Sequence, residues 1–162
     1  MSVEVLAAES EIRLQLHKYC RAVNELDAEL LISLWHADGT IDCEEPALRG
    51  AAADLTGELI DWHRSWPERF HQLTNWIIKV DGDSAVSETY TLDVLRPAPG
   101  RKGDELDSHR RGRYLDRWSK RDGRWALDHR QFVRNYEWRQ QVFAGSVEVR
   151  AQAPHQETAV AR

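Results

Sequence analysis

Two Asp-Gly pairs, Asp81-Gly82 and Asp122-Gly123, do most to limit what this chain can fold into. Each separates two segments rich in β-branched and aromatic residues. Asp-Gly in that position is a strong hairpin signal, because the tightest strand connections require positive φ. The first pair joins an expected strand over Phe70–Val80 to one over Ala85–Leu95. The second joins Ser108–Lys120 to Arg124–Tyr136. Between the hairpins, Pro97 to Leu106 carries Pro99, Gly100 and Gly103 and reads as a polar loop. The second half of the chain is therefore a run of antiparallel strands.

The first half has a different period. Ile12, Leu16, Tyr19, Cys20 and Val23 recur at helical spacing, with Ser10 as the expected N-cap and Asn24 at the C-terminal end. Asp27 can cap a second, short helix carrying Leu30, Leu31, Leu34 and Trp35. Thr40–Cys43 reads as a short strand. A third helix places Leu55, Leu59, Trp62, His63 and Trp66 on one face and is ended by Pro67. Helices followed by antiparallel strands argue for an α+β fold: a strongly curved antiparallel sheet covered by three N-terminal helices, closing a cone with an apolar interior. The expected domain spans residues 11–145, with residues 1–10 as an N-terminal extension and 146–162, polar and patternless, as a mobile tail.

At 162 residues the chain suits one domain with a single core. A net charge of -5 argues against nucleic acid as a partner. No apolar run is long enough to span a bilayer, and the N-terminus lacks a secretory layout, so no membrane association and a cytoplasmic location are expected. Cys20 and Cys43 fit neither a disulfide framework nor a zinc site. There is no phosphate-binding glycine loop, no Gly-x-Ser-x-Gly elbow and no His-Glu-x-x-His pair. Nothing in the spacing of His71, His109 and His129 demands a metal, and no cofactor is implied.

The segment Tyr19-Cys20-Arg21-Ala22-Val23-Asn24-Glu25-Leu26-Asp27 resembles the first-helix signature of SnoaL-like members of the NTF2-like superfamily. Further parts of the resemblance are Leu30 to Asp42, His71 to Asp83, Gly112 to Arg117, and Asp122-Gly123-Arg124-Trp125 through His129-Arg130, so that it runs from roughly Glu11 to Trp138. The pattern is similar to the branch that includes scytalone dehydratase, bile-acid dehydratase and hexachlorocyclohexane dehydrochlorinase. The resemblance implies a cone-shaped pocket, a catalytic histidine at His71, and a tyrosine, Tyr19, that donates a hydrogen bond to a substrate oxygen. It also implies an aspartate paired with that histidine, and here position 24 is asparagine. An amide can accept a ring N–H and orient His71, but it carries no charge to stabilise an imidazolium. Asp27 and Asp42 are the carboxylates considered as substitutes, Asp27 also suiting a helix cap. Homo-oligomers, trimeric or dimeric, are usual for such proteins.

The remaining candidates come from strand alternation and aromatic content. On the arginine-rich strand, His109, Arg111, Arg113 and Leu115 share one face, while Arg110, Gly112, Tyr114 and Asp116 share the other. Arg113 falls where the resemblance places an inward arginine; a surface ion pair is the other assignment. The local density of arginine leaves room for an anionic or phenolic ligand. On the last strand Trp125, Leu127, His129 and Gln131 share a face, making His129 a second inward candidate and turning Arg130 and Arg134 outward. Seven tryptophans serve a core or a pocket, and Trp35, Trp62 and Trp66 are taken as substrate-contacting, with Asn75 beside them.

The expected function is a cofactor-independent lyase acting on a small aromatic or polycyclic substrate. His71 moves the proton, and Tyr19, Asn24, Arg113 and Asp42 support it. The group lost is water, or formaldehyde from a lignin-derived diaryl compound. The alternatives are a ketosteroid-isomerase-like isomerase or polyketide cyclase using Tyr19 and Asp42, and a non-catalytic small-molecule binding module.

Overall fold

The computed structural model describes residues 2–98 and 105–142. Most of the expected polar loop and all of the expected tail lie outside these residues. Helix α1 spans Val3–Glu25 and α2 Ala28–Ile32; strands β1, Trp35–Glu44, and β2, Ala47–Ala51, follow. Helix α3, Ala52–Arg64, then leads into β3, Glu68–Asp81, β4, Ser84–Arg96, β5, Glu105–Arg121, and β6, Arg124–Val142. The six strands form one curved, unclosed sheet in the order β2-β1-β6-β5-β4-β3. Every pairing is antiparallel except β1 with β6, which is parallel because the chain crosses from the helical half back to the far end of the meander. No helix among the described residues is long and apolar enough to cross a membrane.

Ala8, Ile12, Leu16, Tyr19, Cys20, Ala22 and Val23 form the buried stripe of α1. The helix begins at Val3, where the Ser2 hydroxyl accepts the Val5 N–H at 3.3 Å. Ser10 is thus mid-helix, and residues 3–10, expected as an extension, are its first turns. Leu26 ends α1 in the left-handed region at φ 59°. The Asp27 carboxylate then caps α2, accepting the Leu30 N–H at 2.8 Å. Strand β2 has no counterpart in the sequence reading, since Ala47-Leu48-Arg49-Gly50-Ala51 lacks β-formers and is held by pairing with β1.

Three of the sheet's four register irregularities lie in the β3–β6 meander. In β6, Trp118 pairs with Leu127 but Arg117 pairs with His129, leaving Asp128 as the extra residue of a bulge. A second bulge separates Gly112–Arg134 from Arg111–Tyr136. In β3, Leu73 and Trp76 face Thr91 and Thr89, so Thr74 and Asn75 share one position.

Gly112 lies where β5 and the ring of Phe132 come closest. A Cβ there would stand 2.5 Å from the Phe132 ring and 2.9 Å from the Val133 carbonyl. Gly112→Ala is expected to destabilise the fold by ~1–3 kcal/mol through overpacking. Urea unfolding read as a lower midpoint with an unchanged slope checks this.

Candidate active site

A row of side chains crosses the concave face from strand to strand. His71 on β3 pairs with Asp93 on β4, Asp93 with Arg110 on β5, and Arg110 with Glu137 on β6. Directly opposed residues in antiparallel strands have Cβ atoms about 4.5–5.5 Å apart, so neighbours in this row interact. His71, Asp93 and Arg110 are all buried. Helix α3 lies over the row and lowers Trp62 and His63 onto it, while α1 brings Tyr19 and Asn24 from the side. These elements enclose a cavity of about 30 Å³ that Tyr19, His63, His71, Asp93, Arg110 and Tyr114 help to line.

Asn24 holds His71 twice. Its side-chain oxygen accepts the His71 backbone N–H at 3.1 Å and the ring Nδ1–H at 2.8 Å. The backbone bond identifies the amide atom facing His71 as oxygen, so Nδ1 carries the ring proton. Nε2 is left as the lone-pair nitrogen, and it faces Nε2 of His63 at 3.2 Å. Burial, and then the positive charges of Arg110 and Arg69, push the His71 imidazole down to about 3.

Asp93 is shifted the opposite way. Burial raises its carboxyl to about 7, against a 2.7 Å hydrogen bond from Thr91 and the positive charge of Arg110. The site therefore places a neutral imidazole beside a carboxyl that keeps its proton close to neutrality.

The sign of the Asp93 shift also sets a stability trend. Its folded value lies above the ordinary 3.8, so the folded chain holds the proton more tightly than the unfolded one. Its contribution is complete below 3.8 and is lost as pH rises through about 7. Asp93→Asn should flatten this part of the profile. The check is urea unfolding of both proteins at about pH 4 and about pH 8, with the wild type losing more stability between them.

Arg110 is held in place from several sides. Its Nη2 donates to Glu45 at 3.0 Å, and its guanidinium lies 5.0 Å from the Trp62 ring and 5.5 Å from the Trp66 ring. Deeper in, Arg130 makes two 2.8 Å bonds to Asp116. The carbon of its guanidinium sits 4.1 Å from the Tyr19 ring centre and 4.2 Å from that of Tyr114. Burial acts to lower the Arg130 pKa, but the Asp116 charge outweighs it and the value ends raised. Tyr19 is fully enclosed, and burial, opposed by Arg130, raises its phenol well above the ordinary value. It stays a neutral hydrogen-bond donor.

A SnoaL-like domain profile matches residues 4–131. The chain belongs to the SnoaL-like domain family. Solved structures agree on the fold. A scytalone-dehydratase-like protein of Novosphingobium aromaticivorans DSM 12444 superposes with a TM-score of 0.74 at 20% identity, over 91% of this chain and 100% of the other. The hexachlorocyclohexane dehydrochlorinase LinA-type3 of Novosphingobium barchaimii LL02 gives 0.72 at 20% identity, covering 92% and 99%. The type 2 form of LinA gives 0.71 at 18% identity, covering 94% and 97%. No curated protein matches this chain significantly in sequence. These likenesses establish the NTF2-like cone of the SnoaL-like family.

Within that cone, Tyr19, Asn24, His71 and Trp62 meet at one place. Trp66 stands just behind, its ring centre 5.8 Å from that of Trp62. Trp35 is buried behind the Tyr19 ring at 6.0 Å and belongs to the core. The other candidates lie elsewhere. Arg113 has the alternation expected of it but faces outward, bonding Glu88 at 2.9 Å beside Tyr90, because Tyr114 and Arg110 take the concave side. Asp42 also faces outward and pairs with Arg49 at 3.0 Å, while its neighbours Ile41 and Cys43 point in. Asn75 sits exposed in the β3 bulge. His129 accompanies Thr40 at 2.8 Å on the outer face.

The His129 correction has one cause. Asp128 is the bulge residue, so alternation changes phase: Trp125 and Leu127 point inward before it, Arg130 and Phe132 after it. Arg130, expected outside, is thereby turned into the core. A larger hollow of about 440 Å³, including Lys79, Glu88, Arg117 and His129, lies on the outer face and holds none of the concave row. His63, Asp93 and Arg110 were not among the expected site residues. His63 and Arg110 were visible on faces already drawn. Asp93, one acidic residue in an alternating strand, gave no signal until its partner across the sheet was known.

Proposed function

We propose that the protein is a cofactor-independent lyase that removes a proton and a leaving group from a small aromatic or polycyclic substrate. What supports this is the buried, aromatic-walled cleft in which His71, held by Asn24, stands opposite Asp93 on the neighbouring strand, with burial pushing the imidazole down and the carboxyl up. In dehydration, His71 Nε2 takes a proton from the carbon next to a substrate carbonyl. Its electron pair forms the new C=C bond, and the C–O bond breaks as Asp93 protonates the departing hydroxyl. Tyr19 donates to the carbonyl oxygen as charge builds on it. Return of the proton from His71 to Asp93 resets the site. In formaldehyde release, the base takes the proton of a hydroxymethyl O–H, the C–C bond breaks, and Asp93 protonates the carbon left behind.

Two of the structurally similar proteins are dehydrochlorinases by name, which supports elimination as the type of step. A cavity of about 30 Å³ is far below the ~300–1,000 Å³ of small-molecule sites. Substrate entry in this account displaces the Trp62 side of α3. The test is incubation with diaryl 1,3-diols and β-hydroxy ketones followed by product mass. Loss of one water or one formaldehyde is expected, abolished in His71→Ala. A product equal in mass to its substrate would mean an isomerase or cyclase, and ligand binding without turnover a binding module.

A further inference from the structure

The His63–His71 contact has a proton-counting problem that decides its behaviour. His63 Nδ1 donates to the Leu59 carbonyl at 2.7 Å, so its ring proton is on Nδ1. His71 Nδ1 donates to Asn24 at 2.8 Å, so its ring proton is also on Nδ1. Both bonds point away from the contact. With both rings neutral, two Nε2 lone pairs confront each other across 3.2 Å with no proton between them. One added proton turns this repulsion into an ordinary N–H···N hydrogen bond, with the charge spread over two rings.

We infer that His63 and His71 act as one proton acceptor, holding a single added proton between their Nε2 atoms. The surroundings fit this sharing. Asp93 from β4 and Glu45 from the β1–β2 connection are the facing acidic groups, Glu45 being tied to Arg110 and Arg134. Arg110 from β5 and Arg69 from β3 are the nearby cations, while Tyr19, Tyr114 and the Cys43 thiol, all raised by burial, stay neutral. Burial, followed by the charge of His71, holds His63 down to about 3. Sharing opposes the first protonation penalty, and like-charge repulsion makes a second proton harder to add. The pair therefore takes one proton, not two.

Use of this proton in turnover rests on the proposed role of His71. The sharing itself arises when the substrate-free protein takes up one proton, and it is measured without substrate. The experiment is a ¹⁵N-imidazole NMR titration of the wild type, His63→Phe and His63→Gln. In the wild type, both Nε2 resonances should move together through one step, with a far-downfield proton coupled to both nitrogens. In His63→Phe the His71 step should fall by ~1–2 pH units, the value of a lost hydrogen bond to a charged group. His63→Gln, whose amide oxygen can accept the same proton, should recover part of that shift. Independent titration of the two rings in the wild type, or an unchanged His71 step in a folded His63→Phe protein, overturns the inference. A shared proton in a protein with no lyase activity would leave the inference standing and reject only the proposed function.

Discussion

Arg130→Ala is expected to cost about 3–5 kcal/mol of stability, the range for breaking a buried ion pair by removing one partner. At ~2–4 °C per kcal/mol for a chain of this size, the melting temperature falls by roughly 6–20 °C. The cause is Asp116, whose side chain is 0% exposed and would lose both of its 2.8 Å hydrogen bonds from Arg130. Ser87 donates to Asp116 at 3.3 Å and accepts the Trp118 indole N–H at 2.9 Å, so the loss spreads into the core. The guanidinium also supports the Tyr19 and Tyr114 rings. Removing both charges should do less damage than removing one. Arg130→Met combined with Asp116→Leu should regain much of the lost stability, because no charge is then left buried alone. Thermal unfolding of the wild type and the two variants decides this. Equal losses for the single and double variants would show that the pair's packing, not its charge, matters.

His71→Ala is expected to lower turnover by about 10²–10⁴-fold, the usual contribution of a positioned acid–base group. Asn24→Ala removes an orienting hydrogen bond and leaves the base in place, so its loss should be smaller, on the order of 10- to 100-fold. The order matters more than either value. A charged dyad partner would make the two losses comparable, since such groups act as a unit. An amide that only fixes the tautomer separates them. Comparing kcat for both variants, with folding checked by circular dichroism, measures the separation.

Much of the architecture was legible because it rests on local signals. The period of α1 and α3, the Asp27 cap and both Asp-Gly hairpins are written in neighbouring residues, and the structure repeats them. The Tyr19, Asn24 and His71 grouping was legible through its resemblance to a family pattern. What failed was the choice of strand face. Alternation specifies which residues go together, but nothing local says which set faces the helices. Arg113, inward by resemblance with a surface ion pair as the other assignment, takes the ion pair, and Asp42 faces outward on that account. His129 and Arg130 failed through one inserted residue, Asp128, which reverses the side chains from there to the second bulge at Asn135. Asp93 needed the register of three strands before its place between His71 and Arg110 existed at all.

The resulting site differs from an aspartate–histidine dyad in where its charge resides. Asn24 supplies geometry, a second imidazole lies against His71 Nε2, and the nearest carboxyl stands on the neighbouring strand, where burial raises it to about 7. A crystal structure with a bound product or unreactive substrate analogue tests this directly. The reacting carbon should lie about 3–3.5 Å from His71 Nε2, with the leaving oxygen against Asp93 and the Trp62 side of α3 displaced. A ligand seated instead in the outer hollow between Arg117 and His129, with the His71 cavity closed, would contradict it.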